Sequence, residues 1–329
     1  MVYWKNQMKG TGVAHPTQGL ICFHGFRNKK LRIYPVDVIY STIGLFITKT
    51  TIEFSKTYNC SQILINGNKP KKVEKDRIDS FVNLFKDFYK IKDNYRIEST
   101  NNFQSNIGLG SSASGFAALT LAIKEALGLS LTTKDLSIWA RKGTVSAAAS
   151  IVGGISILKT GTSDKDSFAY QILNAEQFPY KIVIALIENY KSTEYLHQEA
   201  PTSPFYKLGI QITKEITDNL RSALLQNNLD EIRKLTEKYL FINYAILSTG
   251  YNNVLLWKPA TIQVLTELKK LNHENTNFMF FTMSSGAVVF IYPIPEKLPV
   301  ITQLLEDIKI PYCVSEIGCQ ATISNEHIF

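Results

Sequence analysis

Short apolar and β-branched runs dominate the first part of the chain, between Gly19 and Phe54. They read "GLICFHG", "VIYSTIGLFI" and "TKTTIEF", and the basic turn "FRNKKLR" follows the first of them. Runs of this length and composition predict β-strands. After the Asn-Gly turn of "QILINGNKP", apolar residues recur at helical spacing in "RIDSFVNLFKDFYKI", which predicts a helix.

The pattern changes beyond the segment "YKIVIALIE" at 180–188, which predicts a buried strand. Long amphipathic helices are predicted next, at about 205–227 and 229–249, and the last third alternates strand and helix. A chain of 329 residues also exceeds the commonest size of a single domain. We therefore predict two domains, at 1–188 and 189–329.

A glycine- and serine-rich turn, "NIGLGSSASGFAAL" at 106–119, leads into an apolar helix. The amino terminus of a helix offers unpaired N–H groups and a partial positive charge, and glycines let a phosphate approach them closely. The spacing differs from those of the Walker and dinucleotide-binding loops. The alternative is a helix cap followed by a small-residue face packed tightly on a neighbour. The predicted phosphate-binding loop spans 106–118, and its predicted ligands are the backbone at Gly108 and Gly110 and the hydroxyl groups of Ser111, Ser112 and Ser114.

Charge and cysteine content narrow the class of partner. The 36 Lys and Arg residues against 28 Asp and Glu give a formal charge of +8, which suits nucleic acid, an anionic membrane or a small polyanion. The lysines are scattered and no RNA-binding signature occurs, so we expect a small phosphorylated substrate and neither nucleic acid nor membrane. Four dispersed cysteines without a Cys-x-x-Cys pair predict neither a metal site nor a disulfide scaffold. The first residues lack a secretion signal, which predicts a cytoplasmic protein.

Four blocks of sequence carry a resemblance to a known family. The loop "IGLGSSASGFAAL" resembles that of the GHMP superfamily of small-molecule kinases, and most closely that of its mevalonate-derived decarboxylases. The segments "AHPTQGLICFHGFRNKKLRIYPVDV", "ARKGTVSAAASIVGG" and "KSTEYLHQEAPTSPFY" resemble further blocks of these decarboxylases in the same order. The resemblance implies a two-domain α+β, GHMP-kinase-like fold. Its amino-terminal domain would be ribosomal protein S5-like and its carboxy-terminal domain ferredoxin-like, with the site between them and a homodimer as the assembly.

The chain departs from the family pattern at three charged positions. The family's decarboxylases phosphorylate a tertiary hydroxyl from ATP and then lose phosphate with CO2. Their lysine, aspartate and arginine are matched here by Cys22, Ser284 and Ala149. A positioned acid or base contributes a factor of about 10² to 10⁴ to the rate, so this pattern predicts that phosphoryl transfer is lost while the anion site is kept.

The resemblance to an ATP-independent member of the family supplies a matching activity. We expect mevalonate 3,5-bisphosphate to lose phosphate and CO2 and to give isopentenyl phosphate, with no ATP, Mg²⁺ or other cofactor. One alternative is an ATP-dependent decarboxylase or kinase in which Lys29 or Lys30 replaces the missing charge. Another is an inactive sensor that binds a phosphorylated isoprenoid precursor.

Candidate roles follow for the residues around these blocks. We predict that Ser111 and Ser112 hold one phosphate and that Arg27, helped by His24, meets another anionic group. The alternatives are a solvated turn arginine and a histidine satisfied within its strand.

Two further candidates complete the predicted site. Asp37 is expected to orient a cation or to carry a proton, unless it is a structural partner of Arg32. Ser146 is expected to donate to a carboxylate, unless it serves helix packing.

Overall fold

The computed structural model describes residues 8–103, 108–188, 193–274, 278–283 and 286–329, and it has an α+β fold. The strands of the described residues are β1 (Lys9–Ala14), β2 (Thr17–Ile21), β3 (Val38–Thr42), β4 (Thr48–Ser55), β5 (Gln62–Ile65), β6 (Asn94–Asn101), β7 (Ile155–Leu158), β8 (Ala169–Leu173), β9 (Ile182–Ala185), β10 (Met279–Thr282), β11 (Val289–Pro293), β12 (Tyr312–Ser315) and β13 (Thr322–Ile323). The helices are α1 (Lys72–Tyr89), α2 (Ser111–Ala126), α3 (Thr133–Gly143), α4 (Val145–Val152), α5 (Thr193–Glu199), α6 (Tyr206–Leu225), α7 (Leu229–Ser248), α8 (Pro259–Glu274) and α9 (Leu298–Asp307).

The first sheet has the strand order β13-β1-β4-β6-β5 and packs against α2. A side chain at Gly10 or Gly12 of β1 would meet the backbone carbonyl oxygens of Ala122 or Ala118 in α2. The helix therefore lies at backbone distance from the strand, which is the packing of a small-residue face that the alternative for this segment describes; the phosphate-binding role of the loop stays a prediction. Strand β1 itself was not predicted, because the two glycines of "KGTGVA" lower its strand propensity.

The second sheet, β2-β3-β7-β8, is antiparallel, as is the third, β10-β11-β9-β12. Strand β9 precedes residue 188 but lies inside the third sheet, whose other strands all follow that residue. In the same way β13, near the carboxyl end, pairs with β1. Strands thus pair across the predicted boundary in both directions, and the division of the chain at 188 stays a prediction.

Several helices match their sequence patterns closely. The predicted helices of the second half correspond to α6 and α7. Helix α3 begins with a capping box, in which the Thr132 side chain accepts from the Asp135 N–H. Helix α1 begins before the periodic segment that predicted it. Helices α4 and α5 had no separate prediction, and both border the candidate site.

Candidate functional site

The start of α2 has the backbone geometry that a glycine-rich anion loop requires. Gly110 is the N-cap residue, with φ of 76°, and Gly108 has φ of 86°. A Cβ atom built on Gly110 would lie 2.7 Å from the carbonyl oxygen of Thr17 in β2. Both the left-handed conformation and this close approach exclude a larger residue, so the loop is fixed against β2 with its amide groups at a helix amino terminus.

The loop serines differ in their surroundings. Ser111 is half-buried and Ser112 is exposed, whereas Ser114 is fully buried. The Ser114 hydroxyl lies 2.6 Å from that of Thr48 in β4 and 3.3 Å from the Ser111 carbonyl oxygen. The Ser114 hydroxyl is therefore used in contacts within the protein, whereas Ser111 and Ser112 are more accessible to a ligand.

Helix α4 begins beside the same part of β2. The Thr17 hydroxyl donates to the Ser146 carbonyl oxygen at 3.3 Å, and Ser146 is half-buried in the first turn of α4. Thr144 is the N-cap residue of α4 and makes no side-chain capping bond, while Ala149 is completely buried. Two helices thus begin in contact with Thr17, an arrangement that suits an anion. We call this region, from Gly108 to Ser114 with Thr17 and Ser146, the glycine-loop end.

His24, Arg27 and Asp37 lie at the opposite end of the β2–β3 pair. Thr17 pairs with Thr42 at one end of the pair, and Cys22 follows the last residue of β2 at the other end, where the ladder is irregular and the chain folds back to bring Cys22 against Gly19. We call the region around Cys22, His24 and His197 the histidine end. The predicted site residues therefore form two groups rather than one.

His24 is enclosed by protein. Its ring is 2% exposed, its Nδ1 lies 3.2 Å from Asn243 Oδ1, and its Nε2 is buried without a partner among the described residues. Burial lowers the pKa of His24 to about 4, and the hydrogen bond with Asn243 offsets only part of that shift. The ring is therefore neutral near pH 7, and a ligand would reach it only after a change in packing.

A second buried histidine, His197 on α5, completes this end. Its Nδ1 accepts the Gly25 N–H at 3.0 Å, which assigns the proton to Nε2, 3.4 Å from the Tyr34 hydroxyl. Burial lowers the pKa of His197 to about 2, helped by the charges of His24 and of nearby arginines. Sequence reasoning missed His197, although it lies in the block "KSTEYLHQEAPTSPFY" that carried the resemblance.

Cys22 sits among buried tyrosines. The Tyr239 hydroxyl accepts the Cys22 N–H at 3.0 Å, and the Cys22 thiol acts electrostatically on Tyr34, Tyr40 and Tyr239. Burial raises the pKa of all three phenols well above the ordinary value, so they stay neutral. The position at which the resembled family has a lysine thus holds a thiol beside three neutral phenols, and Arg32 and Glu194 are close enough to act on one of them, Tyr34.

Arg27 and Asp37 both contact one loop. Asp37 Oδ1 accepts the Thr160 N–H at 2.7 Å, and the exposed Arg27 side chain donates to the Gly161 carbonyl oxygen. Burial raises the pKa of Asp37, although the Thr160 hydrogen bond opposes that shift. The structural partner of Arg32 is Glu194, at 3.6 Å. The alternative that paired Asp37 with Arg32 is therefore wrong.

Ser284, which matches the aspartate of the family pattern, lies outside the described residues. Residues 106 and 107 of the predicted loop also lie outside them. Met283 is buried, and the Thr282 hydroxyl donates to the Leu20 carbonyl oxygen at 3.4 Å. Strand β10 is therefore in contact with β2 close to Cys22. The described residues contain no group of three His, Cys, Asp or Glu side chains placed to hold a metal ion.

The fold, with its glycine loop at the start of α2, is that of the GHMP superfamily, and comparison with known proteins specifies the family. Residues 14–169 match the family model described as the diphosphomevalonate decarboxylase-like N-terminal domain. The chain is 32% identical over 319 residues to phosphomevalonate decarboxylase from Haloferax volcanii, which covers 97% of this chain and 98% of that protein. It is 25% identical to diphosphomevalonate decarboxylase from Candida albicans, over 82% of this chain and 80% of that protein. The chain belongs to this family of phosphomevalonate and diphosphomevalonate decarboxylases.

Solved structures agree on the fold. Mevalonate diphosphate decarboxylase from Enterococcus faecalis superimposes with a TM-score of 0.90 at 24% identity, over 97% of this chain and 100% of that chain. The Staphylococcus aureus enzyme gives a TM-score of 0.90 at 24% identity, over 96% and 98%. The predicted α+β GHMP fold is thus confirmed.

The remaining predictions concern the membrane, the roles of the site residues, the assembly, the location and the cofactor. No helix of the described residues combines the length and the apolar character of a membrane span. The roles assigned to individual site residues stay predictions, as do the homodimer, the cytoplasmic location and the lack of a cofactor requirement.

Proposed function

We propose that this chain decarboxylates mevalonate 3,5-bisphosphate without ATP and releases isopentenyl phosphate, CO2 and inorganic phosphate. The bond between C3 and its phosphate oxygen breaks, and the phosphate takes the electron pair. The bond between C2 and the carboxylate then supplies the electrons of the new C2–C3 double bond as CO2 leaves. Atoms and charge balance without an oxidant or a second phosphoryl donor.

The observation that supports this proposal best is the environment of Cys22. Transfer of a phosphoryl group from ATP needs positive charge near the attacking hydroxyl. At position 22 the chain has a thiol among three neutral phenols, with two histidines of low pKa close by. A substrate that already carries its tertiary phosphate has no need of that charge, because binding, orientation and exclusion of water are sufficient.

The residues of the chain would divide the work between binding and orientation. The backbone amides at Gly108 and Gly110, with the hydroxyls of Ser111 and Ser112, would hold the departing phosphate. Ser146 would bind the substrate from the start of α4. Arg27 and Asp37 are proposed to act at the other end of the substrate, with His24 supporting them from its enclosed position, and the loop that contacts Arg27 and Asp37 would set their positions.

An ATP-dependent decarboxylase is the second candidate, and two observations favour it. The glycine loop keeps the geometry of an anion site at a helix amino terminus. The Haloferax relative is named phosphomevalonate decarboxylase, and the Enterococcus faecalis structure is described in terms of ATP binding to its enzyme. In this candidate the exposed Lys29 or Lys30 would supply the charge that position 22 lacks.

One paired assay separates the candidates. The purified chain, freed of nucleotide, is incubated with mevalonate 3,5-bisphosphate, and in parallel with phosphomevalonate and Mg-ATP. The proposal expects CO2 and inorganic phosphate in the first mixture and no ADP in the second. ADP with CO2 in the second mixture alone would establish the ATP-dependent candidate. Tight calorimetric binding of the bisphosphate without turnover would identify a sensor.

A further inference from the structure

A completely buried arginine lies in the last turn of α3, outside both groups of predicted site residues. Arg141 Nη2 donates to the carboxylate of Asp164 and, at 3.5 Å, to the Asp164 carbonyl oxygen. Its Nε and Nη1 are buried and have no hydrogen-bond partner among the described residues. Within the part of the chain that the structure describes, the guanidinium group therefore makes its hydrogen bonds to one residue.

The contact with Asp164 compensates a buried charge. Burial lowers the pKa of Arg141, and the charge of Asp164 opposes that shift. A buried ion is costly unless an opposite charge stays beside it. Lys142, the next residue of α3, also lies close to the same carboxylate, with its Nζ 2.8 Å from Asp164 Oδ2. Movement of Asp164 away from α3 would therefore leave a buried cation without its opposite charge.

Asp164 belongs to residues 159–168, which join β7 to β8 and which we call the β7–β8 loop. Hydrogen bonds within this loop close it into a compact turn, since Asp166 Oδ1 accepts the N–H groups of Thr162 and Ser163 at 2.9 and 2.6 Å. These bonds hold the pKa of Asp166 well below its usual range. A restraint at Asp164 therefore acts on the whole loop.

The same loop contacts two of the predicted site residues. The Thr160 N–H donates to Asp37 Oδ1 at 2.7 Å, and the Gly161 carbonyl oxygen accepts from the Arg27 side chain. Asp164 follows Gly161 by three residues. Among the described residues, the loop supplies the hydrogen-bond partners of both side chains. Its placement therefore decides how the two side chains are oriented.

We propose that Arg141 is a positioning residue for the candidate site. By holding Asp164 from inside the protein it fixes the β7–β8 loop, and the loop in turn orients the side chains of Arg27 and Asp37. Displacement of a working group by about 1 Å can cost about a hundredfold in rate, so a residue that touches no substrate still matters for turnover. The participation of Arg27 and Asp37 rests on the proposed function, whereas the anchoring of the loop depends on the ion pair alone.

Hydrogen exchange followed by mass spectrometry tests the anchoring without any assay of activity. Arg141→Met combined with Asp164→Asn removes the ion pair without leaving a buried charge, so this double variant should stay folded. We expect the peptide that spans 159–168 to exchange about tenfold faster than in the unaltered chain, while α2 is unchanged. The matched control combines Lys49→Met with Glu326→Gln, because these residues form another long-range ion pair, at 3.3 Å. It should leave exchange in the loop unchanged.

Kinetics test whether the loop acts through Arg27. Turnover is followed in whichever mixture of the paired assay the chain accepts. The double variant should lower kcat by about tenfold, and Arg141→Lys, which keeps the charge, should lose less. Arg27→Gln should lower kcat by a smaller factor in the double variant than in the unaltered chain, because an unanchored loop no longer orients Arg27. A purely structural role of Arg141 would instead give the same factor in both.

Each outcome decides one step of the inference. Unchanged exchange of 159–168 in the double variant would overturn the anchoring, and equal factors for Arg27→Gln would overturn the positioning role. Failure of the proposed function is separate, because it appears as absent turnover of mevalonate 3,5-bisphosphate in nucleotide-free buffer. A chain that turned over neither mixture would have no reaction for Arg141 to serve, which would overturn the positioning role and leave the exchange result standing.

Discussion

The two ends of the β2–β3 pair differ in which polar groups are exposed and in how closely the protein encloses them. At the glycine-loop end, two helices begin against Thr17, and the groups left for a ligand are amides and half-exposed hydroxyls. At the histidine end, polar side chains are enclosed, hydrogen-bonded to one another and held neutral by burial. Under the proposed function, the first end would recognise an anion, and the second has neutral packing at Cys22, where the resembled family has a lysine.

The largest expected effect comes from returning charge to the histidine end. Cys22→Lys would place an ammonium group among Tyr34, Tyr40 and Tyr239, where the carboxylate that acts on Tyr34, that of Glu194, is already paired with Arg32. An uncompensated buried charge costs about 3 to 5 kcal/mol, so we expect that loss in the free energy of unfolding, measured by urea denaturation.

The matched control is Cys60→Lys, because Cys60 is exposed. It should change the free energy of unfolding by less than about 0.5 kcal/mol, as surface substitutions usually do. If Cys22→Lys were as stable as the control, position 22 would tolerate a charge, and the described contrast between a neutral, enclosed end and an anion-binding end would fail.

The same contrast explains which parts of the site could be predicted from the sequence. The glycine loop is local: Gly108, Gly110 and the serines lie within seven residues, and their types alone indicate a helix amino terminus that accepts an anion. The histidine end joins positions that are far apart in the chain. His197 reaches Gly25 across 172 residues, and Asn243 reaches His24 across 219.

Long-range pairing also explains the incorrect alternative for Asp37. Its position near Arg32 in the sequence made an ion pair reasonable, but the chain turns between them. Arg32 has φ of 51° and pairs with Glu194, while Asp37 accepts from Thr160. Nothing in the local sequence specifies that Glu194 or Thr160 would be the partner. The pairing of β3 with β7 brings Thr160 to Asp37, and the packing of α5 brings Glu194 to Arg32.

The next largest effect tests the glycine-loop end. Gly110→Ala would force a left-handed residue to carry a Cβ atom 2.7 Å from the Thr17 carbonyl oxygen. The loop must shift, and displacement of a binding group by about 1 Å can cost about a hundredfold in rate, so we expect kcat/KM to fall by about that factor. Steady-state release of phosphate from mevalonate 3,5-bisphosphate measures it.

Gly67→Ala is the control for backbone strain. Gly67 has the same φ of 76°, but nothing lies within 4 Å of its added Cβ atom, and it occupies the turn after β5. It should lose about 1 to 2 kcal/mol of stability, the cost of the left-handed conformation, and keep its activity. Equal activity in the two variants would show that the glycine loop is not part of the substrate site.

The smallest effect concerns the dependence of stability on pH. The pKa of His24 is about 4 and that of His197 about 2, both below the ordinary value of about 6.5 for an unfolded chain. Between pH 6.5 and 4 the unfolded chain binds protons that the folded chain does not, so stability is complete above pH 6.5 and is lost on acidification. Each histidine contributes a slope of about 1.4 kcal/mol per pH unit.

Removing one histidine of the pair should therefore remove one such slope. His197→Gln keeps a polar group beside Gly25 and Tyr34 but cannot take up a proton, so between pH 6 and 5 its unfolding free energy should fall less steeply than that of the unaltered chain, by about 1.4 kcal/mol per unit. The groups that face His197, namely His24, Arg32, Arg77 and Tyr34, are unchanged in the comparison. The raised pKa of Asp37 contributes with the opposite sign in both proteins and cancels.

His273→Gln, at an exposed position on α8, is the control. If both variants kept the slope of the unaltered chain, His197 would take up its proton in the folded chain as readily as in the unfolded one, and burial would not hold the histidine end neutral.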